Sequence, residues 1–317
     1  MDQSVFPVFL LRVMLSVIGI VGNGVLIISI VHLTNPKSFE VLLLGLAIAN
    51  FGELILVDIY DAIIQSMLTL NVYSCVTLKF LNICGENASI FFTVLISTYR
   101  YWKMRKAAMQ IIAPIFLDRR EAATGLSMGC FLVAVLLALP AYFINQDMWH
   151  MENSTTEKCP ADFFQCSKFH CPTVNNIYKY LFISICHVLP FIAVTWTSFL
   201  IIKILIVQKK AVDVHHESAP GDVTRNHHHH HHHNHAVFHR STIVILAAMA
   251  IFQVDCILYL ILHLFFSSYS LPAWSELEFV ITTFYTGITP YIYGMGYNFF
   301  SVKRFMKKQS STRQISK

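Results

Sequence analysis

The chain has 317 residues, of which 55% are apolar and only 13% charged, and its mean hydropathy is +0.56. That is too apolar for a soluble domain of this size and places the protein in a bilayer. The formal net charge of +5 is concentrated in two segments, so it reads as a topology signal and excludes a nucleic-acid footprint.

A spanning helix needs about 20 mostly apolar residues. Seven stretches meet that length, at 5–32, 41–68, 76–99, 122–145, 176–207, 241–266 and 272–297. The first is not expected to be a removable signal peptide, because it has no basic start, is too long, carries Arg12 and lacks a small-residue cleavage pattern. An odd number of spans puts the two ends of the chain on opposite sides. The segment 100–121 holds Arg100, Lys103, Arg105, Lys106, Arg119 and Arg120, and basic residues recur from Lys303 to Lys317. Positive charge in short loops faces the cytoplasm, so the N-terminus is expected outside and the chain in the plasma membrane as a multi-pass protein.

The predicted fold class is therefore an all-α membrane protein, a seven-transmembrane helix bundle over residues 1–297. Residues 298–317 form a short amphipathic eighth helix and a cytoplasmic tail. In "NFFSVKRFMKK" (298–308), three Phe alternate with Lys and Arg, a mixture suited to an anionic inner leaflet. No repeat at 20–50 residues and no second domain are visible.

The loop 146–175 carries Cys159, Cys166 and Cys171, and Cys75 falls on the same outer side. Four cysteines in an oxidising compartment favour two disulfides. Cys84, Cys130, Cys186 and Cys256 lie within spans and read as small apolar packers. Asn153-Ser154-Thr155 is the candidate glycosylation site of this loop. The inner loop, about 208–240, holds seven consecutive histidines, His227 to His233. Such a run can bind transition metals or change charge near pH 6 to 6.5, but it is read here as an unstructured low-complexity insert and not as a metal site.

Charge inside the spans points to function. Glu53, Asp58, Asp61, Glu86 and Asp255 all fall within them, and an intramembrane acid costs about 2.5–3.5 kcal/mol at the helix centre on insertion scales. Arg12 and Lys79, toward the outer ends, are candidates to pair with Asp58, Asp61 or Glu278.

Gly22-Asn23, "LAIAN" (46–50), Cys75 lying 25 residues before Arg100, Pro190 in the fifth span and "TPYIY" (289–293) together resemble the rhodopsin-like G-protein-coupled receptors. The strings "SFEVLLLGLAIANF" (38–51), "FTVLISTYRYWKM" (92–104) and "ITPYIYGMGYNFFS" (288–301) are similar to the type-1 vomeronasal receptors, and most to their fish relatives, the olfactory receptors related to class A. The resemblance implies detection of a small molecule within the bundle and coupling to a heterotrimeric G protein of the inhibitory type, with no cofactor. It places activation at Tyr99, Arg100 and Tyr101 with neighbouring Lys103, and at Thr289, Pro290 and Tyr293. It also implies a disulfide from the start of the third span to the second outer loop, assigned to Cys75–Cys171, with Cys75–Cys166 as the alternative.

The departures from the family pattern are informative. Asn50 stands where the family usually has Asp, and neutral Tyr99 precedes Arg100 where it has a carboxylate. The fourth span lacks its usual Trp. In the sixth, Asp255-Cys256-Ile257-Leu258 replaces the usual Cys-Trp-x-Pro. Without the charge-based lock, the resting state is expected to rest on packing and tyrosine hydrogen bonds, giving activity without ligand. If the family register holds, Glu86 and Asp255 face each other across the chamber, and His187 joins Asn82, Tyr259 and Phe279 in lining it, with Asp61 and Lys79 toward its mouth. The chamber is acidic and suits a cation, although the resembling family also includes receptors for small organic acids.

Other classes fit less well. A retinal-binding pigment needs a lysine in the seventh span, and 272–297 has none. Bitter-taste receptors are the nearest competing branch. A channel or transporter would more often show inverted repeats. An enzyme would need a convergent nucleophile or metal set, and the spans carry no His-x-x-His, His-Glu-x-x-His or Gly-x-Ser-x-Gly.

Overall fold

The computed structural model describes residues 6–66, 72–110, 116–144, 173–217, 225–266 and 274–296, with side chains described in 6–56, 76–77, 79–110, 116–143, 173–208, 241–266, 274 and 276–296. Among the described residues the regular elements are all helical. They are α1 (Phe6–Val31), α2 (Ser38–Ser66), α3 (Val72–Met109), a 3₁₀ turn (Phe116–Asp118), α4 (Arg120–Ile144), α5 (Thr173–Ile183), a π-helical turn (Ser184–Val188), α6 (Leu189–Glu217), α7 (Arg225–Phe265) and α8 (Trp274–Gly296). The segments α5, the π turn and α6 make one continuous span, which brings the spans to seven.

Among the described residues, six helices are long and apolar enough to cross a membrane by length and composition, the fifth-span run being taken as Thr173–Gln208. The 23-residue α8 is not among them, because Glu276, Glu278 and several Thr and Tyr dilute its apolar content. Its place in the bundle explains the composition: α8 lies against α1 and α7 and also touches α2. The ring runs α1–α2–α4, then through the fifth span to α7 and α8 and back to α1, with α3 inside it against α2, α4 and α6.

α1 shows why these sequences fold into a lipid-facing bundle. Arg12, Ser16, Gly19, Asn23, Leu26 and Ile30 recur every three or four residues and are buried, whereas Val17, Val21, Val25 and Ile28 are exposed. The buried face is the smaller and more polar one, as expected when the surrounding medium is itself apolar and close backbone approach drives association. A Cβ on Gly19 would lie 2.8 Å from the Cα of Gly287, so both glycines are needed where α1 meets α8. Asn23 seals that seam by donating from Nδ2 to the carbonyls of Gly19 (2.9 Å) and Thr286 (3.0 Å).

At mid-bundle, polar side chains hydrogen-bond from helix to helix. Ser89 donates to Asn50 Oδ1 at 2.6 Å, and Thr93 bonds the Tyr285 hydroxyl. Tyr285 packs edge-on to Phe252, 5.4 Å between centroids. With Asn at position 50, this layer of the bundle is joined by neutral hydrogen bonds.

The structure departs from the sequence reading in the inner loop. α6 runs to Glu217 and α7 begins at Arg225, so the histidine run lies within helix. No Gly or Pro interrupts 225–265, and the breakers Pro220 and Gly221 fall between the two helices. Cys159, Cys166, Cys171, Asn153 and residues 298–317 lie outside the described residues, as do the side chains of Cys75, Asp58 and Asp61. The expectations about disulfides, glycosylation and the eighth helix therefore concern parts not described. Cys84, Cys130, Cys186 and Cys256 carry free thiols, with Cys186 and Cys256 fully enclosed, as expected of packers.

Candidate functional site

Two constellations occupy opposite ends of the bundle. The first is built around the fifth span. Pro190 has no N–H to give to the carbonyl four residues earlier, and the helix widens by one residue just before it. Leu189 N–H accordingly bonds Ser184 O, five residues back. The widened turn carries His187, which is 2% exposed and stacks on Tyr259 of α7, with centroids 3.8 Å apart and planes within 11°.

The stack continues through α7. His263, one turn after Tyr259, lies on its other face at 4.1 Å, and Trp274 of α8 meets His263 edge-on at 4.9 Å. Carboxylates close both ends of the column. Glu278 Oε1 is 3.0 Å from His263 Nε2, and Glu86 Oε1 of α3 is 3.8 Å from His187 Nε2. The first is a hydrogen bond; the second is too long to be one. Asp255, one turn before Tyr259 on α7, is close enough to Glu86 for the two to act on each other electrostatically, and Glu86 is likewise coupled to Glu278.

Of the residues the sequence assigns to the chamber, the structure gathers Glu86, His187, Asp255 and Tyr259. Phe279 instead lies against Arg12, its ring centroid 5.0 Å from the guanidinium carbon. Arg12 pairs with Glu276 at 2.9 Å, whereas Glu278 bonds His263, and the side chains of Asp58 and Asp61 lie outside the described residues. Two helical residues separate Glu276 from Glu278 by about 200°, which turns the first toward α1 and the second toward α7. Asn82 and Lys79 are partly buried on α3, and Asp61 is on α2. Sequence reasoning missed His263 and Trp274; the i, i+4 spacing of Tyr259 and His263 is the signal that could have found the first.

The second constellation surrounds Arg100, which is 9% exposed. Its guanidinium carbon sits 3.9 Å above the ring of Phe39, at the start of α2. Phe39 also stacks on Tyr99 at 6.2 Å and meets Tyr293 edge-on at 6.3 Å. One ring thus joins the third-span and seventh-span residues that the resemblance singles out. Tyr99 donates to Asp118 Oδ1 at 3.0 Å and accepts from Lys103 Nζ at 3.1 Å, while Lys103 and Asp118 are 4.0 Å apart. The acid missing beside Arg100 is replaced by a tyrosine that reaches an acid on the 3₁₀ turn.

The remaining residues of this end have structural partners. Thr289 Oγ1 donates to the Tyr285 carbonyl, the usual exit for a hydroxyl in a helix. Pro290 lies within α8, close to Gly22 of α1. Tyr101 packs against Trp102. Arg120 anchors α4 to the first turn, donating to Pro36 O at 2.8 Å and Asn35 Oδ1 at 3.2 Å. Neither Phe39 nor Asp118 was singled out from the sequence, where nothing distinguishes them from other residues near helix ends.

A search of curated proteins returned no match. The family profile described as 7 transmembrane receptor (rhodopsin family) matches residues 22–293, from the Gly22-Asn23 pair of α1 to Tyr293 of α8. With that match over most of its length and a bundle of seven helical spans, the chain belongs to the rhodopsin family of seven-transmembrane receptors.

Proposed function

We propose that this G-protein-coupled receptor is a chemosensor of the vomeronasal type-1-like branch, which takes a small molecule into the chamber between α3, the fifth span, α7 and α8. The observation that carries the reading is the His187–Tyr259–His263 column flanked by Glu86 and Asp255. Polar groups enclosed between helices, with aromatic walls, are what small-ligand pockets are made of, and intramembrane acids without a structural partner mark function. The branch is supported by the three strings at 38–51, 92–104 and 288–301. A bitter-taste-like receptor is the alternative.

Ligand binding biases a two-state bundle. In the state described here Arg100 is covered by Phe39, so a G protein can reach it only after α2 and α3 part at that end. The inner face then offers Arg100, Lys103 and the ends of α6 and α7 to a G protein of the inhibitory class, with the N-terminus outside the plasma membrane. The test is G-protein activation in cells expressing the chain, against small amines and small organic acids, beside Arg100→Ala and Glu86→Gln. A response abolished by Arg100→Ala is the expected result. Ligand-evoked current that persists without G proteins would instead indicate a channel.

A further inference from the structure

The chamber has a charge imbalance that the receptor reading leaves unexplained. Among the described residues, the charged groups acting on Glu86 and Asp255 are each other, Glu278 and the His187 ring; no Lys or Arg is among them. Glu278 has a partner in His263, and Arg12 is paired with Glu276. Two partly buried acids thus lie near one another, and among the described residues no Lys or Arg accompanies them.

Two enclosed acceptors there lack a hydrogen-bond partner. They are Asp255 Oδ1 and His187 Nε2, the latter on a ring that is 2% exposed and locked in orientation by the stack with Tyr259. Nε2 points at Glu86 Oε1 across 3.8 Å, a gap too wide for a direct bond. Leaving such groups unsatisfied is costly, and one donor-rich group would satisfy them together. A primary ammonium carries three N–H donors and no acceptor.

We propose that Glu86, Asp255 and His187 form a site for a small organic cation. Its ammonium donates to Glu86 Oε1, Asp255 Oδ1 and neutral His187 Nε2, and its carbon body lies along the edge of the aromatic column. This deepens the receptor reading and rests on it for the consequence of binding, though not for binding itself. An anion entering the same place would meet two carboxyl groups, and a neutral ligand would leave their charge uncompensated, so the site discriminates by head-group charge.

Three probes with one ring and different heads test the site: benzylamine, benzyl alcohol and benzoate, added to the purified full-length receptor in lipid nanodiscs. The readouts are the shift in melting temperature and G-protein nucleotide exchange. Benzylamine should raise the melting temperature of the wild type, and the shift should fall at least tenfold in apparent affinity in Glu86→Gln and in Asp255→Asn. Glu86→Asp, which keeps the charge, should retain most of it. A cooperative unfolding transition of each unliganded variant shows that it is folded. The inference is overturned if benzoate or benzyl alcohol binds more tightly than benzylamine, if benzylamine gives no shift at 10-fold molar excesses up to the millimolar range (on the order of the weakest specific affinities), or if both neutralised variants bind it as the wild type does.

Failure here is separable from failure of the receptor reading. Ligand-free exchange that depends on Arg100 reports the receptor and does not involve this site. An amine-dependent shift without any exchange would keep the cation site and remove the signalling role.

Discussion

Replacing Phe39 by Leu should raise ligand-free signalling. The substitution keeps an apolar side chain at the start of α2 and removes the π face that Arg100 covers at 3.9 Å. A cation–π contact contributes about 0.5–1 kcal/mol when exposed and about 2 kcal/mol or more when desolvated, and Arg100 and Phe39 are 9% and 5% exposed. Phe39 also loses its ring contacts with Tyr99 and Tyr293, but these surround the same covered state. If the contact belongs only to that state, its loss shifts the resting–active balance by about 1–2 kcal/mol, which is about 5- to 30-fold in population. From a minor state populated at roughly 1%, that is a readily measured rise. The assay is nucleotide exchange on purified G protein by membranes carrying each variant, normalised to surface receptor. Phe39→Tyr, which keeps the π face, should stay near the wild type. Basal exchange in Phe39→Leu equal to or below the wild type, at matched expression, would refute the stack as the resting lock.

Asp118→Ala removes both the acceptor of Tyr99 and the counter-charge of Lys103. Because Asp118 and Lys103 are about two-fifths exposed, basal exchange should rise only by about 2- to 5-fold, corresponding to at most about 1 kcal/mol. Asn23→Ala deletes two buried hydrogen bonds, one within α1 and one across the α1–α8 seam, and should destabilise the purified receptor by about 1–3 kcal/mol, read as a lower melting temperature. In Gly45→Ala a Cβ would come within 2.3 Å of the Phe92 ring, between α2 and α3; overpacking of about 1–3 kcal/mol should reduce surface expression. Pro190→Ala restores the donor whose absence widens the fifth span, so His187 should turn out of register with Tyr259 and the benzylamine shift should weaken, with expression preserved.

The spans were legible because an apolar run of the right length in a chain this poor in charge has few other fates. The break at Pro190 was legible too, although the widening it causes was not, since the chain could equally have kinked there. The proximity of four side chains was legible: Glu86, Asp255, Tyr259 and His187 come together as a seven-helix register requires. The sequence reading sent Phe279 to the same place, but Arg12 draws that ring toward α1. On α8 the partner of Arg12 was read as Glu278 and is Glu276, because sequence distance cannot say which face of α8 meets α1; the side chains of the other two candidates, Asp58 and Asp61, lie outside the described residues. Phe39 was illegible for a related reason. A cation–π partner is an ordinary phenylalanine until the fold sets it 61 positions away from its arginine. The histidine run was misread because low complexity was taken as lack of structure, whereas no residue in the run breaks a helix.

The length and placement of α3 couple the two ends mechanically. Glu86 and Arg100 lie 14 residues apart on one unbroken helix, which is about 21 Å along the axis and within about 40° of the same face. A stiff rod held near its middle by the Asn50–Ser89 bond behaves as a lever. Measured from Ser89, the Glu86 arm is about 4.5 Å long and the Arg100 arm about 16 Å, so drawing the Glu86 arm toward α7 swings the Arg100 arm away from the α7 side by about four times the distance. On the function proposed above, such a tilt would by itself connect the Glu86 end of the helix to the Arg100 end. A tilt of α3 by a few degrees is enough to slide the guanidinium across the face of Phe39.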